Sequence, residues 1–186
     1  MGWLDALLGR SKPARPNLDA LFALPSAAVT LQAATGFEPT GLGSVCFRSA
    51  EGGAFATLQR DIRELLGDVE VEHSQDSYGY TWLLVRRQAD DLSSLVTDLH
   101  GVNSSLEGAG FGPSLLCSLV TFTDDQRRAL AVVYLYKQGT FYPFAPLAGE
   151  RRDNALELQV RGAISGELRV EPELSRWFPL WGAPGL

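Results

Sequence analysis

The sequence predicts an α+β fold: a single antiparallel sheet with helices packed on it. Two observations predict it. Strand-like runs arrive as consecutive pairs, 69–73 with 80–87 and 115–122 with 130–136, and each pair is separated by a loop of hairpin length. Neighbouring strands joined so closely pair antiparallel. Between the pairs stand segments whose apolar residues recur at 3.6 spacing, each a helix with one stripe to bury. The 186 residues suit one domain and bury roughly 70% of the unfolded surface without disulfide or metal staples.

The elements follow in order. Trp3, Leu4, Leu7 and Leu8 fall on one side of two helical turns over 3–9. A basic linker broken by Pro13 and Pro16 follows. Asn17 is placed to cap a short helix through Leu18, Leu21 and Phe22 that Pro25 ends. Ser26 would cap a second helix over 27–34, with Gly36 as its left-handed stop. Residues 38–41 read as a turn and 44–48 as a strand. A helix over 54–66 aligns Phe55, Leu58, Ile62, Leu65 and Leu66. After the first strand pair, Asp90 and Asp91 open the clearest helix, 92–107, at the positive end of its dipole. Its stripe is Leu92, Leu95, Val96, Leu99, Val102 and Leu106. The second strand pair leads into an aromatic, extended segment, 137–146, closed by Pro143 and Pro146. Asn154 and Glu157 have capping-box spacing before a helix to about 165. The domain organisation expected is therefore 1–16, an apolar helix with a basic linker; 17–165, the α+β domain; and 166–186, an irregular Trp- and Pro-rich tail.

Composition narrows the function. A net charge of −6 and few lysines argue against nucleic acid. The first apolar run is short and contains Asp5, so no signal peptide is expected, and no run approaches the ~18 apolar residues of a membrane span. The cytoplasm is the expected compartment, with weak peripheral contact to the inner face of the membrane through 1–16 as an option.

The residues that could carry chemistry are sparse. Cys46 and Cys117 lie in apolar strands and read as buried free thiols. A Cys–His pair such as Cys117 with His100 lacks a setting that favours a thiolate. Cys46, His73, His100 and Cys117 lack the paired spacing of a zinc site. The pairs Gly41/Gly43 and Gly108/Gly110 lead into strands, so they read as turns rather than phosphate loops. No catalytic residue, metal or cofactor is expected. Asn103 is less bland, because it projects near the apolar stripe of its helix. It either bridges to a neighbouring segment or lines a pocket with His100 and Lys137.

Interaction surfaces are better represented. Three of the four tryptophans stand in the terminal segments, and apolar ends must dock on the body, a partner or a membrane. The candidate partner-binding residues are Trp3, Leu4, Leu7 and Leu8 at one end; Tyr136, Phe141 and Tyr142 in the aromatic segment; and Trp177 and Trp181 in the tail. Aromatic residues of this kind form interface cores. For the aromatic segment the competing reading is ordinary edge-strand packing, protected by its prolines.

Several stretches taken together resemble one family. These are Met1-Gly2-Trp3-Leu4-Asp5-Ala6-Leu7-Leu8-Gly9-Arg10, Asn17-Leu18-Asp19-Ala20-Leu21-Phe22-Ala23-Leu24-Pro25 and Tyr78-Gly79-Tyr80-Thr81-Trp82. Val96-Thr97-Asp98-Leu99-His100, Asn103-Ser104-Ser105-Leu106, Tyr134-Leu135-Tyr136-Lys137 and Arg152-Asp153-Asn154-Ala155-Leu156-Glu157-Leu158 complete the set. They resemble the PspA-associated protein PspAB, an actinobacterial family. The resemblance covers nearly the whole chain and implies an accessory role in envelope stress, with a PspA-like coiled coil as protein partner. It supplies no catalytic residues. The order of elements is also similar to the YbjN and type III secretion chaperone fold, whose members often dimerise, an analogy of fold alone. The leading expectation is a non-enzymatic adaptor. The alternatives are a small-molecule-binding or enzymatic domain with a pocket near Asn103, and a chaperone-like homodimer with an exposed apolar groove.

Overall fold

A computed structural model describes residues 17–48 and 52–186. The expected binding residues Trp3, Leu4, Leu7 and Leu8 lie outside the described residues.

The fold is α+β, built on a six-stranded, wholly antiparallel sheet. Its strands are β1 (Glu38–Arg48), β2 (Val71–Gln75), β3 (Tyr80–Arg86), β4 (Leu115–Thr123), β5 (Ala129–Leu135) and β6 (Thr140–Phe144). Their spatial order is β2-β3-β1-β4-β5-β6. The helices α1 (Leu24–Thr35), α2 (Gly53–Leu66), α3 (Leu92–Leu106) and α4 (Asn154–Ile164) pack on one face. Strand alternation sends Val45, Phe47, Leu83, Val85, Val120, Phe122, Val132 and Tyr134 to that face. There they meet the full predicted stripe of α3, every member of which is buried. Two short strands, β7 (Pro146–Leu147) and β8 (Arg151–Arg152), form a separate ribbon.

Local chemistry explains most element boundaries. Asp91 caps α3, its side chain accepting from the Ser94 backbone N–H at 3.2 Å. Asp124 builds the β4–β5 turn by accepting from the backbone N–H groups of Gln126 and Arg128. Gly36 stops α1 at φ +79° as expected.

Five readings change. Pro25 does not end a helix. Leu18–Ala23 is a 3₁₀ turn, and Pro25 sits in the first turn of the α-helix that continues from it. There the missing N–H costs nothing, so Ser26 is no cap. The whole span Leu18–Thr35 is long and apolar enough to cross a membrane by length and composition, yet Leu21, Leu24 and Leu31 bury against the core. Residues 38–41 are not a turn but the start of β1, which bulges between Pro39 and Gly43. Leu65 is 57% exposed while Leu58, Ile62 and Leu66 of the same helix are buried, because a 14-residue helix resting on a surface covers only its central stripe. The cap of α4 is Asp153, which accepts from Leu156 N–H at 3.0 Å. Glu157 instead turns inward, accepting from the Ala145 backbone N–H at 3.0 Å and from Arg152 Nε at 2.9 Å.

The aromatic segment contributes the sixth strand, and its open edge is covered. The Phe141 N–H donates to Arg169 O at 2.8 Å, and the Glu171 N–H donates to Phe141 O at 2.7 Å. Segment 169–171 thus runs beside β6 as a short parallel bridge, meeting the unpaired groups that an edge strand leaves.

Candidate functional site

The opposite face of the sheet carries a second apolar layer: Cys46, Trp82, Cys117, Leu119, Val133, Leu135, Tyr142 and Phe144. An antiparallel sheet usually shows water its second face. Here the C-terminal segment crosses it. Trp177 stacks on Tyr142 with ring centroids 6.1 Å apart, and Trp181 meets Phe144 edge-on at 5.0 Å. Ser44 Oγ donates to Pro184 O.

Glu171 ties this segment down. It is 1% exposed, and its carboxylate accepts from Thr140 Oγ1 at 2.6 Å, from the Glu173 N–H at 3.1 Å and from Arg176 Nη1 at 3.4 Å. Its carbonyl accepts from Trp177 Nε1 at 3.0 Å. A buried carboxylate must be satisfied in this way, since an unpaired one is costly. Arg152 adds a second tie, bonding Glu157 and the Trp177 carbonyl while its guanidinium lies 5.1 Å from the Phe144 ring centre.

The tail leaves a cavity of about 670 Å³ between itself and the sheet. Its floor holds Cys46, Cys117, Trp82, Leu135 and Tyr142; its rim holds Tyr78, Lys137, Glu150, Phe178 and Trp181. Several polar groups of the lining already have partners. Trp82 Nε1 donates to Asp76 Oδ2 at 3.0 Å, while Asp76 Oδ1 accepts from the backbone N–H groups of Tyr78 and Tyr80 at 2.9 Å each. Tyr142 OH donates to Phe178 O at 2.9 Å, and burial pushes its phenol pKa well up. What remains is a largely apolar hollow with exposed aromatic rings at its mouth: Tyr78 is 79% and Phe178 54% exposed. Size and lining are those of a binding cavity. A second hollow, about 550 Å³, lies between the end of α2 and the end of β3. Its arginines are engaged, Arg86 with Glu70 and Glu72 and Arg87 with Asp98.

The expected site residues divide sharply. Tyr136, Phe141 and Tyr142 do not form an open surface. They are 4%, 1% and 1% exposed: Tyr136 and Phe141 pack into the helix-covered core, and the crossing tail covers Tyr142. Burial, and then the neighbouring Glu107 carboxylate, pushes the Tyr136 phenol up to about 12. Trp177 is buried as the pin of the tail, and Trp181 lines the cavity. Asn103, His100 and Lys137 do not share one pocket. Asn103 faces the helical side, where Nδ2 donates to Leu99 O at 2.9 Å and to Ser118 Oγ at 2.8 Å. The His100 ring lies 4.7 Å from Phe22 and pairs with Asp19 at 2.9 Å. Lys137 alone reaches the cavity.

The cavity itself is invisible in local sequence, since β1, β3, β4 and β5 and the tail all contribute to it. Its signals were the Trp-rich tail and the two cysteines in separate strands. Among the described residues no group of three or more His, Cys, Asp or Glu side chains could hold a metal ion.

No curated protein and no solved structure matches the chain. The family model described as PspAB, PspA associated protein B, matches residues 1–185. With nearly its whole length inside that match, the chain belongs to the PspAB family.

Proposed function

We propose that this chain is a non-enzymatic adaptor that binds a protein partner, a PspA-like coiled coil, as an accessory of an envelope-stress system. The observation behind it is membership, over residues 1–185, in a family described as PspA associated. The chemistry of the body is in keeping with it. His100 and several acids make structural contacts: His100 with Asp19, Asp98 with Arg87, and Glu157 with Arg152. The cavity mouth offers exposed aromatic rings of the kind that anchor protein interfaces. In this reading the protein works in the cytoplasm, at the inner face of the membrane, and the apolar residues Trp3, Leu4, Leu7 and Leu8 contribute to binding.

The test is calorimetric titration of the purified full chain with purified PspA of the same organism. Saturable binding with a Kd of about 10 μM or tighter is expected. Leu4→Asp with Leu8→Asp in the full chain should weaken it at least tenfold. Absence of binding by the unaltered chain at about 100 μM would overturn the reading. The cavity volume favours a second reading, a small-molecule site mouthed by Lys137. A metabolite thermal-shift screen that raises the melting temperature of the full chain would favour it.

A further inference from the structure

Cys46 and Cys117 stand far apart in sequence but directly opposite each other on β1 and β4. Alternation turns both side chains to the tail-covered face, and both line the floor of the cavity. Both are free thiols. The hydrogen bond between them, and then burial, pushes the Cys46 thiol up.

The spacing suits a covalent bond. Opposed residues of an antiparallel ladder have Cα atoms about 4.5–5.5 Å apart, within the roughly 4.4–6.8 Å that a disulfide spans. Cβ atoms of such pairs sit about 4.5–5.5 Å apart, slightly beyond the usual disulfide separation. The register of β1 on β4 shifts immediately after Cys46, and an irregularity of this kind lets one strand move locally without shifting the ladder.

We propose that Cys46 and Cys117 are an oxidation site, a dithiol that a hydroperoxide entering the cavity converts to a cross-strand disulfide. Cys117 gives its proton to water entering the cavity, and its thiolate attacks the peroxide. The O–O bond breaks, one oxygen stays on Sγ as a sulfenic acid, and the other leaves as water after taking up a proton. Cys46 Sγ then attacks the sulfenic sulfur. The S–S bond forms, the S–O bond breaks, and hydroxide departs as water with the Cys46 proton. Two electrons pass from the thiols to the peroxide, with two water molecules formed from hydrogen peroxide. A small thiol reverses the step by disulfide exchange. The rest of the cavity has the dimensions that admit such a small oxidant to thiols otherwise closed off from solvent.

The test uses the folded full chain. It is exposed to hydrogen peroxide, the peroxide is removed with catalase, and the chain is unfolded, alkylated with iodoacetamide and weighed intact. The expected result is a monomer lighter by about 2 Da that carries no alkyl group, and that regains two alkylation sites after dithiothreitol. Two alkyl groups on the peroxide-treated chain would overturn the proposal. So would mass gains in steps of about 16 Da located by peptide mapping on Cys46 or Cys117, or disulfide-linked dimers in place of the lighter monomer.

Discussion

Asn103 shows how little a polar residue on an apolar stripe reveals by itself. Its position beside Leu99 and Leu106 points first to a bridge and leaves a pocket open as the alternative. The bridge is what the chain builds: one amide group joins the previous turn of α3 to Ser118 of β4. Asn103→Ala should therefore cost about 1–3 kcal/mol of stability, read from urea unfolding, because Ser118 Oγ loses its buried donor. Affinity for PspA should stay unchanged. A loss of affinity at unchanged stability would return Asn103 to the list of functional residues. Glu157 and Glu171 carry the same lesson in reverse. Glu157 has capping-box spacing and Glu171 has no pattern at all, yet both are buried acids joining distant segments.

Backbone conformation separates two glycines that look alike in the sequence. Gly36 ends α1 at φ +79°, and a Cβ there would meet nothing within 4 Å. Gly41 lies in the bulge of β1 at φ +83°, where a Cβ would stand 2.2 Å from the Arg87 carbonyl oxygen. The same approach lets the Arg87 N–H donate to Gly41 O at 2.8 Å, holding β1 to the end of β3. Gly36→Ala should cost about 1 kcal/mol, the left-handed penalty alone. Gly41→Ala should cost about 2–4 kcal/mol, since strain and a backbone clash combine. Chemical unfolding of the two variants side by side checks the ordering, and equal losses would refute the bulge as the cause. Pro25 teaches a related point: the same residue that breaks a helix interior is at ease in its first turn.

Apart from the exposed edge strand β2, the sheet is covered on both faces, by helices on one and by the chain's own C-terminal segment on the other. Trp177 is the pin of that second layer, packed on Tyr142 and bonded to Glu171. Trp177→Ala should cost about 3–5 kcal/mol. It should also loosen the tail over Tyr142 and Phe144, read as increased binding of an apolar fluorescent dye. A variant as stable as the parent would mean that the tail is not part of the folded core.

Helices, strand pairs and the antiparallel α+β class were legible because each rests on local periodicity. The stripe of α3 and the two hairpins repeat within a few residues, and such patterns need no knowledge of the rest of the chain. Aromatic burial was legible only as one of two readings, edge-strand packing beside an open interface. Tyr136, Phe141 and Tyr142 have the composition of an interface, and whether they face solvent depends on what covers each face and the edge of the sheet. For Phe141 and Tyr142 that includes segments 169–171 and 177–186, which carry no periodic signal of their own. The meeting of Cys46 with Cys117 likewise follows from the register of β1 on β4. Periodicity tells a strand which face is apolar, whereas strand order, register and the cover on each face arise only when distant segments bury their apolar surfaces together.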